Sequence, residues 1–314
     1  MAAIDVVMPM RDAERWVGRA WESLARQTFR DWRLLAVDDG SRDRSAQVLS
    51  RAAGGDRRLL LVRAPRRGVA AALNRGLREV HAPVVVRMDA DDLSHPRRLE
   101  LLRAALEDRP EWGVAASRVR LFPRRAVTPT MGTYLDWQNG LLDPQAIRNE
   151  RYVECTVTHA SAAFRTGVLA EAGGWWEGDG PEDLDLFLRL HARGVRFGKL
   201  PRVLYWWREH GGRETRTSPR LSVEAFRRVK ARHLAGEVGG RPVCLFGLGK
   251  SLESWRRALA RAGITAAARE FSPRAPLPRW EGLALFCFGH PKARRRVRER
   301  LSGAAEGRDY LFVA

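Results

Sequence analysis

The chain has 314 residues, 45% of them hydrophobic, and a formal net charge of +19. This length predicts one large domain or two unequal ones, and the hydrophobic fraction is high enough for a substantial core. No segment reaches the ~18 consecutive apolar residues that a membrane-spanning helix needs. The N-terminus enters a strand-like run, Ile4 to Met8, at once, so we expect neither a signal peptide nor a membrane span.

Arginine supplies nearly all of the positive charge. Three explanations stay open: solvated faces encoded by a GC-rich genome, attraction to an anionic membrane or glycan, and nucleic-acid binding. No nucleic-acid motif accompanies the charge, so we expect no nucleic-acid partner. The cysteines, Cys155, Cys244 and Cys287, are widely spaced and predict neither a metal site nor a disulfide framework. We therefore expect a cytoplasmic protein, and peripheral contact with an anionic inner membrane face stays open.

The first half of the chain alternates between two periodicities. The predicted strands are Ile4–Met8, Leu34–Val37, Leu59–Val62, Val84–Met88 and Val114–Leu121. The predicted helices are Glu14–Gln27, Ser45–Ala53, Val69–Val80 and Pro96–Glu107. Strands that alternate with helices of this length predict right-handed crossovers and a doubly wound, mostly parallel α/β sheet.

Acidic residues follow two of these strands. Asp38 and Asp39 end the second strand, and Asp89, Asp91 and Asp92 follow the fourth. Ligands of such sheets bind at the carboxyl ends of the strands. Packed carboxylates repel one another, and a hard divalent cation, Mg²⁺ or Mn²⁺, would relieve the repulsion. The pattern predicts a metal and nucleotide site, with one alternative at Asp92, which could instead cap the next helix.

The rest of the chain is less uniform. Residues 122–160 look irregular, and the later predicted elements are a helix at Pro181–Arg193, a strand at Val203–Trp207, a helix at Ser222–Ala235 and a linker at Gly236–Gly240. Residues 241–314 then read as a small βαβαβ unit that ends with a strand at Tyr310–Val313. Its Gly247–Ser251 segment lacks the first glycine of a phosphate-binding loop. We therefore predict two domains, 1–236 and a Rossmann-like accessory domain at 241–314.

The motifs of the first domain, in their order and spacing, resemble those of family-2 glycosyltransferases with the GT-A fold. The matching segments are Val7–Met10, Ser23 with Gln27–Phe29, Val37–Ser41 with Asp43, Gly68–Gly76, Asp89–Asp92, His159–Ser161 with Phe164 and Arg165, Gly173–Trp175, and Glu182 with Asp183. The C-terminal part resembles modules appended to some bacterial glycosyltransferases.

The resemblance implies a nucleotide diphosphate sugar as donor, with a UDP-sugar favoured. Asp39 would accept a hydrogen bond from the base, and Asp89 would contact the ribose. The backbone of Pro9 and Met10 would line the same pocket. The other donor-side candidates are Arg67 and Asn74, for which a tightly packed helix start is the alternative.

The resemblance also assigns catalytic and metal-binding roles. Asp91 would be the main ligand of Mn²⁺ or Mg²⁺ in an Asp-X-Asp motif, with His210 as a further candidate ligand. Asp183 would be the general base and Glu182 would orient the site. For this acidic pair, stabilisation of a helix N-terminus is the alternative.

Three further residues are candidates for contact with the acceptor or the diphosphate. They are His159, Trp175 and Arg208. Core packing is the alternative for His159 and Trp175, and a surface loop position is the alternative for Arg208. These residues do not identify the sugar or the linkage.

The predicted function is transfer of a sugar, with inversion, to a hydroxyl group of a glycan, a lipid-linked saccharide or a protein in bacterial glycan biosynthesis. Two alternatives stay open. One is a non-catalytic relative that binds nucleotide sugar or glycan, and the other is a sugar nucleotidyltransferase.

Overall fold

The computed structural model describes residues 2–301 and 303–314, except for the side chain of Thr215. The chain divides into two compact units. The first comprises Met1–Pro144, Val157–Gly178 and Arg193–Arg213, and the second comprises Gln145–Thr156, Asp179–Ala192 and Glu214–Ala314. These units are defined by packing and interleave along the chain. The division into domains at 1–236 and 241–314 stays a prediction.

The first unit is built on an eight-stranded sheet with the order β3-β2-β1-β4-β7-β6-β8-β5. Its strands are β1 (Ile4–Met10), β2 (Trp32–Asp39), β3 (Leu59–Ala64), β4 (Val84–Arg87), β5 (Leu93–Ser94), β6 (Trp112–Phe122), β7 (Ala163–Arg165) and β8 (Arg196–Arg208). Only β7 and β5 pair antiparallel with their neighbours among these strands. The predicted mostly parallel α/β sheet is therefore confirmed.

Helices connect these strands and continue into the second unit. They are α1 (Val17–Ala25), α2 (Ser45–Ala53), α3 (Val69–Leu77), α4 (Arg98–Asp108), α5 (Pro129–Gly140), α6 (Pro144–Asn149), α7 (Thr166–Glu171), α8 (Glu182–Ala192), α9 (Glu214–Thr217) and α10 (Val223–Val238). Within residues 2–301 and 303–314, no helix has both the length and the apolar character that membrane crossing requires.

Strand β1 is the centre of the site-bearing edge. All seven of its residues are buried, and it lies between β2 and β4. Helix α3 packs so closely on this strand that a Cβ on Gly76 would come within 2.7 Å of a Val7 methyl group. Met10 pairs with Asp38, and Val7 pairs with Arg87. The carboxyl ends of three neighbouring strands therefore carry Pro9, Asp39 and the acidic segment 89–92.

Two regions differ from their predictions. The strand predicted at 203–207 begins at Arg196, because a bulge in the β6–β8 ladder accommodates Pro201 and Arg202. The segment predicted as irregular contains α5, which Thr128 caps by accepting a hydrogen bond from the Met131 backbone. Proline at the first helical position fits such a start, and it is the signal for this helix in the sequence.

The second unit contains a four-stranded parallel sheet with the order β10-β9-β11-β12. Its elements are β9 (Val243–Gly247), α11 (Gly249–Arg261), β10 (Ala266–Glu270), β11 (Leu283–Cys287), α12 (Pro291–Arg300) and β12 (Tyr310–Val313). Strand β10 is an addition to the predicted βαβαβ unit and lies at an edge. The predicted linker was wrong at its start, because α10 continues to Val238 and ends at left-handed Gly239.

Asp5 is a buried carboxylate that joins three parts of the first unit. It accepts two hydrogen bonds of 2.8 Å from Arg33 on β2. It also accepts hydrogen bonds from the backbone N–H groups of His81 and Ala82 at 2.8 and 3.0 Å. Burial alone would raise the pKa of Asp5, but these donors outweigh burial and lower it. The charged form is therefore stabilised by folding.

We expect Asp5→Asn to lower the free energy of unfolding by about 2 kcal/mol at pH 7, because a charged acceptor of several hydrogen bonds is lost. The wild-type contribution should be present above the ordinary pKa of aspartate and be lost as the pH falls through the lowered pKa. Urea denaturation measures both effects. Glu107→Gln, which removes an exposed partner of Arg103 on α4, is the control and should change stability by less than about 0.5 kcal/mol.

Candidate functional site

The acidic segment after β4 forms a compact cluster in the first unit. One carboxylate oxygen from each of Asp89, Asp91 and Asp92 lies within 4.8 Å of the other two. Strand β4 is fully buried and ends at Arg87. The cluster begins two residues later, at the carboxyl end of this strand. Three like charges this close repel one another strongly unless cations compensate them.

Arginine and histidine side chains of the same unit surround the cluster. His210 Nε2 lies 2.8 Å from Asp91 Oδ2. Arg213 is 3.8 Å from Asp91 and 3.7 Å from Asp92, and Arg87 forms an ion pair with Asp89. Each carboxylate therefore has an arginine or histidine partner, and any bound cation would have to share or displace these partners.

Asp92 is the most buried member of the cluster. Its Oδ1 accepts a hydrogen bond of 2.6 Å from the Arg208 backbone N–H. Its Oδ2 is buried and has no hydrogen-bond partner among the residues that the structure describes. Burial, followed by the charges of Asp91 and Asp89, raises the pKa of Asp92 well above its usual range. The predicted alternative of a helix cap was wrong, because Asp92 precedes strand β5 and α4 begins only at Arg98.

The cluster fits a hard divalent cation by the chemistry of its donors. Mg²⁺ and Mn²⁺ prefer carboxylate oxygens, and a cation beside Asp92 Oδ2 would provide the partner that this buried atom lacks. In the part of the chain that the structure describes, these three aspartates form the group of metal-ligating side chains that lies close enough together to hold an ion. The predicted ligands Asp91 and His210 lie together there.

Arg208 holds the acidic segment in place. Its Nε donates a hydrogen bond of 2.6 Å to the Asp91 carbonyl oxygen. Its guanidinium lies 4.4 Å from the ring centroids of both Trp16 and Phe122. The alternative of a surface loop position was wrong, because Arg208 is the partly buried last residue of β8 and contacts the backbone of the acidic segment.

Sequence reasoning missed several residues of this site. Arg213, Arg87 and Trp16 contact the cluster or its partners, and Tyr205 Oη accepts a hydrogen bond from the Asp89 backbone. The only available signal was proximity in sequence, since Arg87 precedes the acidic segment and Arg213 follows His210 by three residues.

Asp39 organises the neighbouring edge at the end of β2. Its side chain is 4% exposed and accepts hydrogen bonds from the backbone of Arg67 at 2.8 Å and Gly68 at 2.9 Å. Each carboxylate oxygen has a second lone pair, so capacity for a further donor remains. Pro9 and Met10 are buried at the adjacent end of β1. The structure therefore brings these three predicted residues together.

Asn74 and Arg67 have partners within the protein. The Asn74 amide donates to the Trp175 carbonyl oxygen at 2.7 Å and accepts from the Trp175 N–H at 2.8 Å. Arg67 forms an exposed ion pair with Glu177, which also accepts a hydrogen bond from Asn74. For Asn74 these contacts favour the packing alternative, and the exposed Arg67 remains available to a ligand.

His159 and Trp175 lie in the interior of the first unit. Trp175 is 2% exposed, and its indole N–H donates to His159 Nε2 at 2.8 Å. Burial, with the charge of Arg87, lowers the pKa of His159 well below its usual range, so the ring is neutral. A buried indole exposes no face to a sugar. For both side chains these contacts favour the alternative of core packing over contact with the acceptor or the diphosphate.

The second unit carries the other predicted acids at the start of α8. Glu182 and Asp183 are its first two residues, and Asp183 is half-buried. Arg220 donates to the Gly180 carbonyl oxygen at 2.8 Å and lies 3.5 Å from Glu182. Burial, followed by the charge of Asp183, raises the pKa of Glu182 to about 8. Glu182 is therefore protonated at neutral pH. The predicted general base is not this residue but its neighbour, Asp183.

The fold is that of an α/β protein with an acidic cluster at the carboxyl edge of a mostly parallel sheet. Residues 5–173 match the model of the family "Glycosyl transferase family 2". The chain belongs to this family and is a glycosyltransferase. The resemblance of the first predicted domain to family-2 glycosyltransferases is thereby confirmed.

Relatives of known sequence carry the same assignment. The chain is 27% identical over 223 residues to "Putative glycosyltransferase EpsE" of Bacillus subtilis (strain 168), covering 70% of this chain and 78% of the relative. It is 27% identical to "O-antigen biosynthesis protein RfbC" of Myxococcus xanthus, over 74% of this chain and 18% of that protein.

Solved structures share the fold. S. aureus TarS 1-349 in complex with UDP-GlcNAc is 18% identical, with a TM-score of 0.58, over 82% of this chain and 71% of that chain. The mannosyltransferase PcManGT of Pyrobaculum calidifontis, in complex with GDP-Man and Mn²⁺, is 22% identical, with a TM-score of 0.53, over 83% and 69%. At these identities, the likeness establishes the fold.

We expect Glu182→Gln to weaken the pH dependence of stability. A raised pKa means that folding favours the protonated acid. The contribution of Glu182 to the free energy of unfolding is therefore full below the ordinary pKa of glutamate and is lost as the pH rises towards about 8. The neutral amide removes this loss, which we expect to exceed about 1 kcal/mol. Urea denaturation at pH 5, 7 and 9 measures it. Equal pH dependence in both proteins would contradict the burial argument, and exposed Glu224→Gln is the control.

Proposed function

We propose that this glycosyltransferase moves a sugar, with inversion, from a nucleotide diphosphate sugar to a hydroxyl acceptor, and that a divalent cation assists it. The observation that carries the proposal is the position of the acidic cluster. It stands at the carboxyl end of β4, and Asp39 stands at the carboxyl end of β2, with β1 between them. Parallel sheets bind ligands at this edge.

On the donor side, the residues of the first unit bind and orient. Asp39 accepts the ring N–H of the base, and the backbone of Pro9 and Met10 lines the base pocket. Asp89 contacts the ribose. Arg67, which is exposed, is a further residue that contacts the donor. A UDP-sugar is favoured, and the UDP-GlcNAc and GDP-Man named for the two structural neighbours support a nucleotide sugar in general.

Asp91 and Asp92 would hold the cation, Mn²⁺ or Mg²⁺, with His210 as a further candidate ligand. When bound, such a cation neutralises the diphosphate as negative charge develops on it. Arg208 and Arg213 add fixed positive charge beside the same segment. The Mn²⁺ named for the PcManGT complex supports a divalent cation in general.

On the acceptor side, Asp183 is the general base. The acceptor oxygen attacks the anomeric carbon from the face opposite the diphosphate, and the bond from that carbon to the diphosphate oxygen breaks. The acceptor's proton passes to the Asp183 carboxylate. Glu182 is protonated at neutral pH, because its pKa is about 8, so it orients the site and leaves the role of base to Asp183.

The acceptor class is a glycan, a lipid-linked saccharide or a protein. The name of the Myxococcus relative, an O-antigen biosynthesis protein, supports a role in polysaccharide biosynthesis. The basic surface fits peripheral contact with an anionic membrane or an anionic acceptor, because the net charge is +19. The family match argues against the nucleotidyltransferase alternative.

We expect Asp91→Ala to abolish metal-dependent donor binding. Calorimetry with UDP, GDP and dTDP, each with and without Mn²⁺, measures this. The wild type should bind one nucleotide at least about tenfold more tightly with Mn²⁺, and the variant should lose that difference, because it lacks a carboxylate ligand. Equal wild-type affinity with and without metal would contradict the metal role. Asp108→Ala, at the end of α4, is the control and should bind as the wild type does.

We expect Asp183→Asn to keep donor binding and to lose at least about 100-fold in kcat, because the amide cannot accept the proton. A transfer assay with a panel of glycan acceptors measures kcat, and calorimetry measures donor affinity. An active variant would exclude Asp183 as the base. Donor binding without transfer in the wild type would favour the non-catalytic alternative.

A further inference from the structure

Helix α10 is the element that holds the acidic start of α8 within the second unit. His233 lies 2.9 Å from Asp185, and Arg232 forms an ion pair with the same carboxylate. Arg228 is 2.9 Å from Asp179, just before α8. Asp185 is 2% exposed, so these contacts fix the helix itself rather than a surface side chain.

The same helix carries a buried cation whose partners are backbone atoms. Lys230 is 1% exposed, and its ammonium donates to the Val153 carbonyl oxygen at 2.8 Å and the Ala314 carbonyl oxygen at 2.7 Å. It also lies 4.0 Å from the Glu154 carboxylate. A buried ammonium is costly unless it is well partnered, so these contacts are strongly favoured over separation. Lys230 therefore joins α10, the 153–155 segment and the residue after β12.

The 153–155 segment leads directly to the proposed base. Cys155 is 7% exposed, and its thiol donates to Asp183 Oδ2 over 3.9 Å. Burial, followed by the charge of Asp183, raises the pKa of this thiol well above its usual range, so it stays protonated. The other Asp183 oxygen accepts from the Leu184 N–H at 2.7 Å. One side of the Asp183 carboxylate is thus oriented by its own helix, and the other side by Cys155.

We propose that Lys230 and Cys155 are positioning residues for Asp183, and that the C-terminal sheet contributes to catalysis by providing a partner for Lys230. The ammonium fixes the 153–155 segment against α10 and the end of β12. The thiol on that segment in turn orients the carboxylate that accepts the proton. This inference rests on the proposed function of Asp183.

The test compares Lys230→Met, Cys155→Ala and Cys155→Ser in the full-length protein. Methionine keeps the buried stem of Lys230 and removes its charge, so kcat should fall about 10- to 100-fold as the base is displaced. Donor affinity, measured by calorimetry with Mn²⁺ and the preferred nucleotide, should stay within about twofold. Lys292→Met, on the exposed face of α12, is the control and should match the wild type.

Cys155→Ala keeps the proposal testable if Lys230→Met does not fold. Loss of a donor to a carboxylate raises the pKa of that carboxylate, so the acid limb of the kcat–pH profile should move to higher pH. Cys155→Ser restores a donor and should move the limb back, which a merely structural role of Cys155 does not predict. A Cys155→Ala variant with wild-type kcat and an unchanged profile would overturn the proposal, as would equal loss of kcat and donor affinity in Lys230→Met.

The outcome also separates this inference from the proposed function. If Asp183→Asn retains transfer, the assignment of the base fails. If Asp183→Asn is inactive while Lys230→Met and Cys155→Ala behave as the wild type, only the positioning role fails.

Discussion

Repulsion among three carboxylates is the constraint on which the first unit depends. Asp89, Asp91 and Asp92 present oxygens within 4.8 Å of one another, and Asp92 is buried. Arg87 and Arg213 compensate part of this charge, and His210 lies 2.8 Å from Asp91. Apolar residues would pack a buried position such as that of Asp92 at a lower free-energy cost, which supports the proposed cation site. The buried Asp92 oxygen, which lacks a partner among the described residues, is the clearest sign of it.

The sheet provides the geometry that makes this cluster useful. Parallel pairing of β2, β1 and β4 places Asp39 and the acidic segment at one edge, while the antiparallel pair β5–β8 brings Arg208 to Asp91 and Asp92. The second unit carries Glu182 and Asp183 at a helix start that α10 holds. The two acids differ in their electrostatic environment. Glu182 is buried and neutral at pH 7, whereas Asp183 is half-buried and accepts a hydrogen bond from the Cys155 thiol.

Much of this arrangement follows from the sequence. Helix α2 and strand β12 begin and end at their predicted residues, because local periodicity and turn residues agree there. The positions of Asp39 and Asp91 at the carboxyl edge of the sheet were predictable from the parallel topology alone. The cations Arg213 and Arg87 were not, since their approach depends on the two-residue strand β5 and on side-chain direction. The burial of Trp175 and its hydrogen bond to His159 were not predictable either, because both are tertiary features that no local pattern encodes.

Cation binding by the acidic cluster is tested most directly by the uptake of Mn²⁺ from solution, followed by electron paramagnetic resonance. We expect the signal of free Mn²⁺ to fall when the protein and its preferred nucleoside diphosphate, chosen among UDP, GDP and dTDP, are both present, compared with the nucleotide alone. A signal that the protein does not change with any of the three would contradict cation binding, and the acidic cluster would then be a salt-bridge network alone.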